Sequence, residues 1–471
     1  MTSNLFHRII TCTIIMLMSL SGHSQTSILF TDNSAEDPLL IESLSKEAGV
    51  HLSADKCIKV GIESTASVGN GIENYLRKNP SDDVSVVLLQ IGCNGSGLNK
   101  LHPCISAEQT LFHFPFAYVC NLKGERHQHK RMAVSRKEVT NNDVVGVFYN
   151  AISAVRKLLP QARIFILSPI IQTGRSSSSV LSSKFDGQLA AAAQLFCIPY
   201  VTDICKDLAP FQFIWNKNVC PSAACNILIL GDSYSEQHLW TDHLQRITGY
   251  NIVNLAVGSA TLRDRFDFHT YPYSAHPVKT DNAGNHNTLA CQIEKLKRLQ
   301  RGETDSLEQA LPLNYSPDII LIEGGTNDNA DSDATEKLYH QSSVQADRTT
   351  FVGSIAYLSS ALKSIYPNAK IFVVTPSGLY YGHTDAPFAY IDKARQIRKA
   401  SKILGLSTID WDRNGRLSFV FNNSHAAGKG TKRQPYRYDV PTQETKDLLH
   451  PNEHGALFLA EAVAAVLFSQ Q

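Results

Sequence analysis

Three segments of the chain occur twice, in the same order and about 200 residues apart, which indicates an internal repeat. Within each pair the apolar runs coincide, and so do several turn residues and prolines. The pairs are SILFTDNSAED at 27–37 with ILILGDSYSEQ at 227–237, VSVVLLQIGCNGS at 84–96 with PDIILIEGGTNDN at 317–329, and AVRKLLPQARIFILSP at 154–169 with ALKSIYPNAKIFVVTP at 361–376. The sequence therefore predicts one unit built twice, with a boundary near residues 211–225.

The repeated unit has the pattern of an α/β fold. Its predicted strands are continuous apolar runs, and the segments between them have the spacing of amphipathic helices. Such strands are buried on both faces, which is typical of a parallel sheet covered by helices. We expect two tandem α/β domains with parallel sheets, the first over residues 25–215 and the second over residues 222–471.

The first 24 residues have the features of a secretory signal peptide. Arg8 precedes an apolar run over residues 9–20, and Gly22 and Ser24 suit the positions before a signal-peptidase cut. A retained anchor is the alternative, but the run is short, and no later segment reaches the ~18 apolar residues that a membrane span needs. The sequence predicts a secreted or periplasmic protein of bacterial type, with no membrane span after cleavage.

The charge balance argues against a nucleic-acid partner. The chain has 44 basic and 43 acidic residues, so it carries no excess of positive charge for a polyanion. No cysteine pair has the CxxC spacing of a zinc site, and the sequence predicts neither a metal nor a cofactor. Export would allow disulfides, and Cys220 with Cys225 could close a small loop, although the overall pairing stays open.

Polar motifs follow the predicted strands of the second unit and precede its last helix. Functional groups collect at the carboxyl ends of parallel strands, so we expect these motifs to share one site. They are Ser233 in LILGDS, Gly258 in NLAVGSA, Asn327 in IEGGTND, and Asp447 with His450 in DLLHPNEHG. In this order they resemble the motifs of the SGNH, or GDSL-type, hydrolases. The resemblance covers residues 226–471 well and 27–208 in degraded form, and it implies three-layer α/β/α domains of the flavodoxin-like kind.

Ester chemistry gives these residues their expected roles. A serine hydroxyl needs a base to become a nucleophile, and His450 is the candidate base for Ser233. Asp447 precedes His450 by three residues and could orient its ring. The tetrahedral intermediate needs preorganised donors for its oxyanion. By resemblance, these are the backbone N–H groups of Ser233 and Gly258 and the side-chain amide of Asn327.

Each of these residues also has a plainer interpretation. Ser233 could cap the following helix, Gly258 could serve a turn with positive φ, and Asn327 and Asp328 could be turn and cap residues. Asp447 and His450 could be a helix cap and a surface histidine. His454, one helical turn after His450, is the rival base.

The first unit lacks the expected catalytic groups. Asn33 stands where the second unit has Ser233, and no histidine lies between His129 and His238, where the base should be. A composite site using one of three earlier histidines has no triad spacing to support it; these are His51, His102 and His113. We expect a catalytically inactive copy that packs on the active unit, shapes its cleft or holds a ligand.

Two long segments of the second unit bear on the substrate. Residues 263–288 and 414–443 are rich in Tyr, His, Asp and Asn, which suits stacking and hydrogen bonding to a sugar. The sequence predicts a secreted serine esterase that removes acyl groups, acetyl above all, from carbohydrates. A lipase or thioesterase, a sugar acyltransferase on the same triad, and a non-catalytic glycan-binding protein are the alternatives, and a solvated surface loop is the plainer interpretation of both segments.

Overall fold

The computed structural model describes thirteen stretches of the chain. They are residues 26–31, 57–61, 68–80, 84–91, 144–168, 183–202, 225–264, 288–303, 310–312, 314–328, 348–378, 389–418 and 450–469. The predicted signal peptide, Asn33, Asp447, the boundary near 211–225, the three histidines of the composite-site alternative and most of the two long polar segments lie outside these stretches.

The first unit contains a five-stranded parallel sheet with the order β2-β1-β3-β4-β5. Its strands are β1 (Thr26–Thr31), β2 (Cys57–Gly61), β3 (Val84–Gln90), β4 (Arg163–Leu167) and β5 (Tyr200–Val201). Its described helices are α1 (Val68–Lys78), α2 (Val144–Leu158) and α3 (Ser183–Phe196).

The second unit contains another five-stranded parallel sheet, with the order β10-β9-β8-β6-β7. Its strands are β6 (Asn226–Leu230), β7 (Asn251–Asn254), β8 (Ile319–Glu323), β9 (Lys370–Val374) and β10 (Ser407–Ile409). Its described helices are α4 (Ser233–Glu236), α5 (Leu239–Thr248), α6 (Leu289–Gln300), α7 (Phe351–Ile365), α8 (Ala389–Ile403), α9 (Trp411–Asn414) and α10 (Glu453–Ser469).

The two sheets share one strand order. If β6 is counted as the first strand of the second unit, its sheet has the order 2-1-3-4-5 from the β7 edge, as the first sheet has from the β2 edge. This is the doubly wound, flavodoxin-like order, in which the chain reverses direction between the first and third strands. The predicted α/β class is confirmed, whereas the duplication and the exact domain limits stay predictions.

The alternating direction of side chains along the strands explains the layers of the second unit. Ile227 and Ile229 of β6 belong to one buried apolar cluster, and Leu228 and Leu230 belong to another. Successive side chains of a strand point to opposite faces, so a run of four apolar residues supplies both faces of the sheet. Helices α5 and α10 contribute to the first of these clusters, and α6 and α7 to the second.

The two units pack directly on each other. Glu461 on α10 forms a salt bridge with Arg163 on β4 of the first sheet, and the Glu461 side chain is only 4% exposed. Gln194 on α3 donates a 3.1 Å hydrogen bond to Asp412 on α9. Helix α10 is therefore covered on both sides, which explains why it is apolar around nearly its whole circumference.

Cys225 has a free thiol in the structure, which does not support the disulfide with Cys220 that the spacing allowed. Cys220 lies outside the described residues, and the overall pairing stays open. None of the helices in the described stretches is long and apolar enough to cross a membrane.

Candidate active site

The predicted site residues lie at the point where the strand order of the second sheet reverses. Strands β6 and β8 are neighbours although β7 separates them in the sequence. Ser233 follows β6, Gly258 follows β7 and Asn327 follows β8. A crevice opens at such a reversal outside the carboxyl ends of the strands, and it is the usual ligand site of an open parallel sheet.

Ser233 and His450 are hydrogen-bonded through the atoms that nucleophilic catalysis requires. The distance between Ser233 Oγ and His450 Nε2 is 2.9 Å. Ser233 is the first residue of α4, and the helix is capped by Asp232, whose carboxylate accepts a 3.0 Å bond from the N–H of Tyr234. The cap is thus the aspartate, which leaves the serine hydroxyl available to the histidine.

His450 also packs against Tyr234, the residue after the serine. Their ring centroids are 5.9 Å apart, and the Tyr234 hydroxyl lies 2.9 Å from Ser377 Oγ. The tyrosine is buried, so its ring forms a fixed wall beside the histidine. His454, the rival base, instead packs its ring on Phe458 at a centroid distance of 5.0 Å. Asp447 lies outside the described residues, and its orienting role stays a prediction.

Asn327 is held by the neighbouring loop. Its side-chain Nδ2 donates a 2.9 Å hydrogen bond to the carbonyl oxygen of Ala260. A carboxamide nitrogen carries two hydrogens, so this bond orients the group and uses one of them. The other hydrogen can serve an incoming oxyanion.

Gly258 has no unusual backbone conformation, but it lies close to a neighbouring side chain. It is absent from the positive-φ positions of the described chain, whereas the next residue, Ser259, has a φ of 62°. A Cβ at position 258 would collide with the carboxylate of Glu236, the last residue of α4. The positive-φ explanation for Gly258 was therefore wrong, since the strained conformation belongs to Ser259.

Asp328 joins the loops that carry Gly258 and Asn327. Its carboxylate accepts 2.8 and 3.0 Å bonds from the N–H groups of Leu262 and Arg263, and a 3.2 Å bond from Arg263 Nε. Asp328 is almost completely buried, and the paired guanidinium and two amides compensate its charge. One side chain thus fixes the distance between the two loops.

Side chains from α6 and β8 hold the turn that precedes the nucleophile through hydrogen bonds. Gln292 on α6 accepts a 2.9 Å bond from the N–H of Gly231 and donates a 2.7 Å bond to its carbonyl oxygen. Glu323, the last residue of β8, accepts bonds from the N–H of Asp232 at 3.1 Å and from Ser235 Oγ at 2.9 Å. These contacts fix the backbone on which Ser233 sits.

Asp232 and Glu323 form a buried pair of acids. Both side chains are fully enclosed, and burial is the main reason that the pKa of each carboxyl group is raised. One oxygen of each acid, Oδ2 of Asp232 and Oε1 of Glu323, has no hydrogen-bond partner of good geometry among the described residues. The charge of Asp232 is a further cause that raises the pKa of Glu323, so the protonated form of the pair is favoured more than it would be in water.

Sequence reasoning missed Glu323, Gln292 and Asp328 as members of this site. Glu323 could have been noticed, because it ends a strand that is otherwise entirely apolar, IILIE, and every residue of that strand is buried. A carboxylate in such a position needs a polar partner. Gln292 had no comparable signal, since a glutamine on an amphipathic helix is usually a surface residue.

The geometry defines the class of the protein, which is an α/β protein with a serine–histidine pair and a loop asparagine at the strand reversal of a parallel sheet. The chain belongs to the GDSL-like lipase/acylhydrolase family, whose model matches residues 227–463, half of the chain. A search of the curated proteins gave no match.

Solved structures similar to this chain cover about half of it. A protein from Lactobacillus plantarum is 17% identical with a TM-score of 0.35, covering 53% of this chain and 99% of its own. An acetyl xylan esterase is 16% identical with a TM-score of 0.29, covering 51% and 99%. A lipase/acylhydrolase from Enterococcus faecalis is 13% identical with a TM-score of 0.29, covering 52% and 96%.

Proposed function

We propose that the protein is a secreted serine esterase that hydrolyses acyl esters through an acyl-enzyme on Ser233. The observation that carries the proposal is the 2.9 Å contact between Ser233 Oγ and His450 Nε2 at the strand reversal. A nucleophile and a base within hydrogen-bond distance are what acyl transfer requires. The proposed catalytic residues are Ser233, His450 and Asp447.

The proposed reaction has two halves that use the same atoms. Ser233 Oγ attacks the ester carbonyl carbon, its proton passes to His450 Nε2, and the carbonyl electrons move to the oxygen. Collapse of this intermediate breaks the bond to the alcohol, which leaves with the proton from His450. Water then attacks the acyl group, gives its proton to His450, and releases the carboxylic acid as Ser233 recovers its hydrogen.

The oxyanion is stabilised, in this proposal, by the N–H groups of Ser233 and Gly258 and by Asn327 Nδ2. The loop contacts around Asn327 and Asp328 support this assignment, because they hold the donors in place before the substrate binds. Preorganised donors cost little reorganisation during the reaction, which makes this kind of stabilisation effective.

The test is hydrolysis of p-nitrophenyl acetate by the full-length protein. Ser233→Ala and His450→Ala should each lose at least about 10³-fold in kcat/KM. Ser359→Ala is the matched control, because Ser359 lies on α7 and its hydroxyl donates a hydrogen bond to the carbonyl oxygen of Ala356 in the same helix. Equal turnover by wild type and Ser233→Ala would refute the esterase proposal and favour the alternative of a non-catalytic glycan-binding protein.

For the substrate we propose acetyl groups on carbohydrates. The polar and aromatic composition of residues 263–288 and 414–443 supports a sugar more than a lipid chain. Acetate release from acetylated xylan, pectin and sialic acids tests this directly. A preference for p-nitrophenyl octanoate would indicate a lipase, and transfer of acetyl to an added sugar would indicate an acyltransferase.

The proposal includes export and an inactive first unit. Residues 1–24 would direct secretion, so N-terminal sequencing of exported protein should begin at Gln25. The first unit would contribute no catalytic group, since it has Asn33 in place of a serine. Its contribution would come through its contacts with the second unit.

A further inference from the structure

Helix α8 contains a buried lysine directed at the loop that carries Asn327. Lys393 is 3% exposed, and its Nζ donates a 2.9 Å hydrogen bond to the carbonyl oxygen of Thr326. A buried ammonium group is costly unless it is well bonded, so this position is a poor one for a lysine without a local role.

The bonded carbonyl belongs to the peptide group that precedes Asn327. Holding the Thr326 oxygen fixes the plane of that peptide and therefore the direction in which the Asn327 Cα–Cβ bond leaves the backbone.

The same helix packs against the preceding residue of the loop. Gly325 has a φ of +102°, and a Cβ placed on it would lie 3.0 Å from Cδ1 of Ile397. Lys393 and Ile397 are one turn apart, so they project from the same face of α8. That face covers the loop at Gly325 and Thr326. Because both contacts come from one face, a shift of the helix would also displace the loop.

The first turn of α8 is anchored in the other unit. Tyr390 is 4% exposed and belongs to the apolar core of the first unit, together with Cys197. A Cβ on Gly378 of the second unit would touch the Cys197 sulfur and lie 3.4 Å from the Tyr390 ring, so all three meet at one point. Tyr390 and Lys393 are three residues apart and hence on neighbouring positions of the helix face.

We propose that Lys393 is a positioning residue for Asn327, and that the first unit anchors, through Tyr390, the helix that carries Lys393. This assignment rests on the proposed esterase function, and it makes the inactive unit the support of one wall of the oxyanion site. The expected consequence is a loss in the chemical step without a loss in substrate binding, since the lysine acts through Asn327.

The experiment measures kcat and KM of full-length variants with p-nitrophenyl acetate. Lys393→Met, which keeps the length and removes the charge, should lower kcat about 10- to 100-fold and leave KM within about 2-fold. Lys399→Met is the control, because Lys399 is an exposed residue of the same helix and should behave as wild type.

A double-mutant cycle separates positioning from general loss of structure. In an Asn327→Ala background, Lys393→Met should cost less than about 3-fold, because the group it positions is already gone. Equal fold losses in both backgrounds would overturn the proposal. Lys393→Gln, which retains a donor, serves if the methionine variant does not fold, and it should show the same dependence on Asn327.

Substitution of Tyr390 tests whether the first unit anchors α8. Tyr390→Ala should lower kcat at least about 5-fold, again with less effect when Asn327 is alanine. Tyr366→Ala, directly after α7 within the second unit, controls for the loss of a buried tyrosine ring; equal kinetic effects of the two would overturn the anchoring role. An active Ser233→Ala protein would refute the esterase function itself, whereas an inactive one beside a normal Lys393→Met would refute this inference alone.

Discussion

The N–H of Asp232 donates a 3.1 Å hydrogen bond to the carboxyl group of Glu323, one residue from the nucleophile. The same Glu323 oxygen accepts the hydroxyl of Ser235, so one acid supports both sides of Ser233. Because Asp232 is itself a buried acid, the backbone around the nucleophile is supported by two buried carboxyl groups with raised pKa values.

This pair predicts a pH-dependent stability. Burial raises the pKa of Asp232 to about 7, and that of Glu323 well above its ordinary range. From about pH 4 upward the unfolded chain releases these protons while the folded chain keeps them, so stability should fall as pH rises through about 7. Glu323→Gln should flatten the curve of melting temperature against pH between about 5 and 9. Glu294→Gln, on the surface of α6, should run parallel to wild type, and a parallel Glu323→Gln curve would contradict the prediction.

Asn327→Ala should reduce kcat by about 10²–10³-fold, the usual loss for one oxyanion donor. KM for p-nitrophenyl acetate should change little, because the amide gains its importance in the transition state. The measurement is steady-state kinetics, with circular dichroism as a check that the fold is intact. A change confined to KM would assign Asn327 to substrate binding instead.

Asp328→Ala should reduce activity although Asp328 contacts no substrate in this proposal. It would release the N–H groups of Leu262 and Arg263 and leave the Arg263 guanidinium without its buried partner. Losing such a partner costs about 3–5 kcal/mol of unfolding free energy. Urea unfolding measures this cost, and a loss below about 1 kcal/mol would mean that the two loops are held together by other contacts.

Gly231→Ala should damage the nucleophile turn. A Cβ at this position would lie 2.7 Å from both Glu323 Oε2 and Ser235 Oγ, in a region closed to water. Overpacking of this kind costs about 1–3 kcal/mol, and it should also displace Ser233 and lower kcat. Gly61→Ala is the control, because no atom of the described part of the chain lies within 4 Å of its Cβ position.

Glu461→Ala should weaken the contact between the two units. Its carboxylate is almost buried and bonds to Arg163 Nε at 2.8 Å, so we expect a loss of at least about 2 kcal/mol in thermal or urea unfolding. Glu73→Ala breaks solvent-exposed pairs with Arg77 and Lys157 and should cost less than about 1 kcal/mol. Similar losses in the two variants would mean that the junction is as solvated as the surface.

The strands and the serine–histidine pair could be predicted because their signals are local. A run such as ILIL before Gly-Asp-Ser predicts a buried strand and a turn, and the DLLHP motif indicates His450 as the partner of Ser233. Lys393 and Gln292 could not be predicted in this way. Each lies on an amphipathic helix whose pattern gives no sign that one polar residue points inward, and each gains its meaning from a backbone carbonyl over 60 positions away in the chain.

Gly258 illustrates a different case, in which the plainer explanation that the sequence allows, a positive φ, was wrong. Sequence alone cannot distinguish a glycine that relieves strain from one that makes room for a neighbour. The collision partner, Glu236, is close to Ser233 in sequence but reaches Gly258 only because β7 lies beside β6.

Helix α10 has a consequence for the order of events during synthesis. It follows His450 directly, fills the core of the second sheet and carries Glu461 to the first unit. A ribosome-bound or proteolysed chain that stops before residue 450 would contain the nucleophile but neither its base nor the helix that closes both interfaces. In the proposed esterase, activity would then appear only when the chain is complete and folded.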